Sequence, residues 1–167
     1  MTSAAPTLSA WPGLARRCAL SLGLLPLLAQ GLAVCSTSST GVAFGNYTVS
    51  NPAPADVTGN VQVTCTLIGT TSVPVAYDIL LSSGASGSYA ARQAGIGPGH
   101  LQYNLYTGAT HSAIWGDGTG GSVKVSDAYQ LGQTTVVRNY AVYGRAPATQ
   151  NIPVGIYTDS ITVTLNY

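Results

Sequence analysis

Charge is what this sequence has least of. Only 7% of its 167 residues are charged, none is glutamate, and Lys124 is the only lysine. So sparse a cation set offers no basic patch for a nucleic acid backbone, and there is no acidic tail. Disorder normally accompanies high charge and few large apolar residues. Here Val, Ile, Leu, Thr and ten Tyr dominate, so the low charge points to a β-rich fold. Helical periodicity is missing after residue 34, and so are internal repeats.

Catalytic constellations are missing too. The two histidines, His100 and His111, have no third ligand at metal spacing, and Asp117 is the one acid near His111. "GASGS" (84–88) lacks the G-x-S-x-G spacing of a nucleophile elbow, and no helix follows it. "GDGTGG" (116–121) has no lysine after its glycines and no helix to meet a phosphate. That stretch reads as a turn: Asp117-Gly118 reverses the chain, and Trp115 packs over the end of the core. Five scattered aspartates give no paired-carboxylate cleft. The sequence is read as having no catalytic residues, no metal site and no cofactor.

What is present begins with a leader. Arg16 and Arg17 precede "CALSLGLLPLLAQGLAV" (18–34), an uncharged apolar run that ends in small residues. The pattern reads as a secretory signal peptide over residues 1–34, with cleavage after Gly31 or Ala33. The run is shorter than the ~20 residues of a membrane span, and Pro26 interrupts it. "LAVC" also resembles a lipid-attachment signal, but Val34 is bulky for one. Residues 35–167 then form one domain, with four cations against five aspartates and a formal net charge of −1. Cys18 leaves with the leader. An oxidising compartment should join the remaining Cys35 and Cys65, a bridge worth about 3–4 kcal/mol by loop closure.

The domain reads as short strands separated by Gly/Pro/Ser/Asn turns. "GNVQVTCTLIG" (59–69), "VPVAYDILLS" (73–82), "LQYNLYT" (101–107), "GSVKVSD" (121–127), "TTVVRNYAVYGR" (134–145) and "YTDSITVTLNY" (157–167) are the predicted strands. Strands near ten residues apart with no helices predict an antiparallel β-sandwich. In the last strand Ile161, Val163, Leu165 and Tyr167 share one face. Nothing follows to cover that strand, which is expected to stand as a bare edge.

Several of these stretches, with "CSTSSTGVAFGNY" (35–47), "LLSSGASGSYAAR" (80–92), "IWGDGTGG" (114–121) and "YGRAPATQNIPVGIYTDSITVTLNY" (143–167), resemble the spore coat protein U domain. That is the subunit domain of archaic chaperone–usher pili. The resemblance implies an all-β, immunoglobulin-like sandwich that lacks its final strand. It implies that a periplasmic chaperone lends a strand, and that another subunit replaces it at an outer-membrane usher. Ile161, Val163, Leu165 and Tyr167 would line the donor-strand groove. Val42 and Phe44, in the first strand, would form its other wall, and Cys35–Cys65 would link the first two strands. The implied place is the periplasm, then the cell surface or beyond; the implied role is adhesion or biofilm formation as a fibre subunit. A tip-type adhesin for carbohydrate or surfaces and an unpolymerised coat protein are the alternatives. In one respect the sequence departs from the family's rod subunits. They carry an alternating donor segment between leader and first cysteine, and here the leader runs almost into Cys35. A subunit with no strand to give belongs at a fibre tip, although tip subunits usually have a second domain.

Overall fold

The computed structural model describes residues 31–96 and 99–167. The leader expected over residues 1–34 therefore lies outside the described residues, except for its last four. Those four are informative, because the first strand, β1 (Leu32–Thr40), begins among them. The expected boundary at residue 35 thus falls inside a strand.

The other strands are β2 (Ala55–Ile68), β3 (Val73–Leu81), β4 (Arg92–Ile96), β5 (Gly99–Tyr106), β6 (Val125–Leu131), β7 (Thr135–Ala146) and β8 (Val163–Asn166). They form a five-stranded sheet, ordered β1-β2-β7-β5-β4, and a three-stranded sheet, ordered β6-β3-β8. Every ladder is antiparallel. The result is the expected all-β, immunoglobulin-like sandwich.

Alternation drives the assembly. Val61, Val63 and Cys65 of β2 face inward and are buried, with Gln62, Thr64 and Thr66 on the other face. Val75, Tyr77, Ile79 and Leu81 of β3 meet them from the opposite sheet, joined by Leu101, Tyr103 and Leu105 of β5. Each such side chain, fully buried, contributes about 1.5–3 kcal/mol. Cys35 and Cys65 stand directly opposite in the β1–β2 ladder and are disulfide-bonded, closing a separation of 30 residues.

"GDGTGG" is a turn. The Asp117 carboxylate accepts hydrogen bonds from the Thr119 amide (2.8 Å) and hydroxyl (2.7 Å), and Gly118, Gly120 and Gly121 take positive φ. Trp115 is 1% exposed, and its indole N–H donates to the Ile79 carbonyl at 3.0 Å. The strand expected at 121–127 starts instead at Val125. Val123 bonds the 114–116 stretch, its N–H donating to the Ile114 carbonyl at 2.8 Å, before β6 joins β3.

Two segments leave their sheets, and the sequence pattern hides both. Beyond Thr40 the chain crosses the inner face of the five-stranded sheet, from β2 over β7 to β5. Glycines make that possible: a Cβ on Gly59 would lie 2.7 Å from the Thr40 carbonyl oxygen, and one on Gly144 would lie 2.5 Å from Val42 Cγ1. The second segment precedes β8. The Gly95 amide of β4 donates to Thr158 O (3.1 Å), and the Ser82 amide donates to Thr162 O (3.0 Å). Residues 158–162 therefore pass from the edge of one sheet to the edge of the other, which shortens the strand expected at 157–167 to Val163–Asn166.

Candidate functional site: a groove beside a free strand edge

The two crossing segments bracket a cavity of about 560 Å³. Its floor is the core surface of Val61, Leu81, Leu105 and Val142. Residues 39–45 form one wall and residues 157–163 the other. Phe44 packs edge-on against Tyr103, ring centroids 5.7 Å apart, so the first wall rests on β5.

Of the residues expected to line a groove, Val42, Phe44, Ile161 and Val163 come together here. The other two do not. Leu165 pairs with Ile79 and packs against the core beyond the cavity. Tyr167 is 65% exposed and lies by Gly31, Leu32 and Val73, where the sheets approach each other. Val42 and Phe44 were expected within the first strand. That strand ends at Thr40, and both residues belong to the crossing segment, because Gly59 and Gly144 draw it off the ladder and onto the sheet face.

The edge beside the cavity has a definite polarity. In the three-stranded sheet β8 has β3 on one side and no strand on the other among the described residues. The Thr162 carbonyl accepts from the Ser82 amide (3.0 Å), and the Thr162 amide donates to the Ser82 hydroxyl (2.9 Å), so Thr162 faces β3. Antiparallel pairing alternates with period two, which turns the N–H and C=O groups of Val163 and Leu165 to the free side. The same residues point their side chains inward. One side of β8 thus offers backbone hydrogen bonds and apolar surface together, which is what an added strand requires.

A polar hub that no sequence pattern announces closes one end of the cavity. Arg92 is 0% exposed. Its guanidinium donates to Ser82 O (3.1 and 2.8 Å), Trp115 O (2.7 Å) and Asn104 Oδ1 (2.7 Å). Burial lowers its pKa, partly offset by Tyr103, Tyr89 and Asp159. Next to it, Tyr103 donates to Asp159 Oδ2 (2.6 Å), while the Ala85 and Ser160 amides donate to Oδ1 (3.0 and 2.8 Å). Burial first, then the Asp159 hydrogen bond, raises the Tyr103 pKa far above that of a free phenol.

A second cluster ties the sheets together elsewhere. The Tyr77 and Tyr140 hydroxyls share a hydrogen bond (2.7 Å), Tyr140 donates to Asp127, and Arg138 Nη1 pairs with Asp127 Oδ2 (2.9 Å). Burial acts to raise the Asp127 pKa, but Tyr140 and Arg138 outweigh it and hold the group below the ordinary value.

His111 and Asp117 do not meet as ligands. His111 packs against the Tyr106 and Tyr143 rings, with Nε2 3.8 Å from Asp56, and Asp117 is turned to Thr119. Among the described residues no three His, Cys, Asp or Glu side chains converge as a metal site, and no helix is long and apolar enough to cross a membrane.

Residues 22–164 match the family model of the Spore Coat Protein U domain. The match starts inside the stretch read as a leader. Over 112 residues, 66% of this chain, the sequence is 28% identical to Protein U of Myxococcus xanthus, and it spans 59% of that protein. A chain in the crystal structure of a chaperone–tip adhesion subunit pre-assembly complex, from archaic chaperone-usher Csu pili of Acinetobacter baumannii, is also similar. It has a TM-score of 0.49 and 18% identity, over 81% of this chain and 40% of that one.

Proposed function

The chain belongs to the Spore Coat Protein U domain family, and from that premise we propose that it is a structural subunit of a chaperone–usher-type surface fibre, completed by a strand from another protein. The observation that carries this reading is the cavity of about 560 Å³, floored by Val61, Leu81, Leu105 and Val142, beside the free edge of β8. An extended segment with alternating apolar side chains would fill the cavity and bond the backbone of Val163 and Leu165.

In this reading the first occupant is a periplasmic chaperone's strand, and the second is a strand from another subunit, exchanged at an outer-membrane usher. The leader carries the chain to the periplasm and the fibre carries it to the cell surface. The role is mechanical and adhesive, in attachment or biofilm formation, rather than catalytic. The disulfide fits this destination, since export oxidises Cys35 and Cys65.

The experiment is export of the chain alone and beside a periplasmic chaperone of the chaperone–usher class. Alone, the protein should be recovered in much lower yield; with the chaperone, the yield should rise and a one-to-one complex should be recovered. A stable monomer that unfolds cooperatively without any added strand, and forms no complex, contradicts the reading.

A further inference from the structure

We infer that the precursor is cut between Gly31 and Leu32, and so matures into a subunit that accepts a strand and has none to give. The second half rests on the function proposed above; the first stands by itself. Ala29 and Gly31 supply the small residues that a leader peptidase takes three places and one place ahead of the scissile bond. Gly31 and Ala33 supply the same pattern two residues later, so the sequence by itself offers both sites.

The ladder separates them. Leu32 pairs with Ile68, Ala33 with Leu67 and Val34 with Thr66, directly before the bridged Cys35–Cys65 pair. A cut after Ala33 strips the first two pairs from an edge strand and removes Ala33 from its packing against the core. A cut after Gly31 leaves β1 whole. The chemistry is peptide hydrolysis: water adds across the Gly31–Leu32 amide, leaving a carboxylate on the leader and a free α-amine on Leu32.

What precedes the cut is a poor donor strand. A strand laid between two sheets must alternate in apolar character and donate its amides to the ladder. Residues 22–31 instead contain the doublets Leu24-Leu25 and Leu27-Leu28, and Pro26 between them has no N–H. That composition suits an apolar leader. Once the leader is gone, every residue ahead of Cys35 is already paired with β2, and no free segment remains for a neighbour's groove. The mature chain would therefore occupy a fibre end, bound through its own groove only.

The test is export of the full chain, with the chaperone, in a Gram-negative host, followed by intact mass and N-terminal sequencing. The expected product starts at Leu32 with its disulfide closed. A product starting at Val34, or one that keeps residues ahead of Gly31, overturns the cut. A second measurement reads the acceptor role. The exported chain should form no detergent-resistant multimers by itself, whereas a variant with an alternating apolar segment grafted ahead of Leu32 should form them. Multimers of the ungrafted chain overturn the inference. A synthetic alternating apolar peptide, added in trans, separates the two readings. A protein that starts at Leu32 but binds no such peptide upholds the cut and overturns both the acceptor role and the groove.

Discussion

At the scale of single residues, stability hangs on a few buried polar groups. Arg92 donates to three oxygens, so Arg92→Met should leave Ser82 O and the buried Trp115 O without their donor and Asn104 Oδ1 with the Leu105 amide alone. The expected loss is about 3–5 kcal/mol, read as a fall in the urea midpoint. Asp127 makes a pH prediction. Its folded pKa is depressed, so it contributes stability that is present above the ordinary carboxylate pKa of 3.8 and is lost as pH falls through the folded value. Wild type should therefore exceed Asp127→Asn by about 1–3 kcal/mol at pH 7, and the gap should close on acidification to pH ~2. A gap that stays constant with pH would mean that Asp127 is not charged in its cluster. Some of this scale was legible beforehand. Two cysteines behind a leader-like segment pointed to a bridge, and Trp115 beside a turn pointed to the core end. Arg92 was not legible, because an arginine surrounded by backbone carbonyls looks in sequence like any surface arginine.

At the scale of elements, the glycines at 59 and 144 decide where the groove wall lies. A side chain at Gly144 meets Val42 Cγ1 at 2.5 Å and Phe44 Cζ at 3.2 Å, so Gly144→Ala should cost about 1–3 kcal/mol by overpacking. Adding Val42→Ala should recover part of that loss, and a double-mutant cycle in urea measures the coupling. Alternation made β2, β3, β5 and β7 readable, since each has one buried face. β1 was not readable: "STSST" has no apolar period, and its pairing is fixed by the disulfide and the β2 ladder. The last strand read as longer than it is, because Ile161 keeps the inward period while its neighbours Thr158 and Thr162 bond different sheets. The groove itself was half legible. Ile161 and Val163 follow the strand period, but Val42 and Phe44 line the cavity from a segment that two glycines, distant in sequence, make room for.

At the scale of the molecule, the sandwich is held shut at one end and open along one side. The Cys35–Cys65 bridge fixes β1, and through it the start of the wall at residues 39–45. Cys35→Ala with Cys65→Ala should lower stability by about 3–4 kcal/mol, measured by thermal or urea unfolding. It should also weaken strand binding, since the wall then hangs from an unpinned edge. An unchanged affinity would show that the wall is held by Val42 and Phe44 alone.

The central claim is that the free side of β8 receives a strand. Amide hydrogen exchange of the folded protein, with and without an alternating apolar peptide, tests it most directly. The account predicts that the amides of Val163 and Leu165 exchange fast in the free protein and become protected on peptide binding, while the Thr164 amide, which faces β3, is protected throughout. Protection of Val163 and Leu165 before any peptide is added, or no change on adding it, would contradict the account.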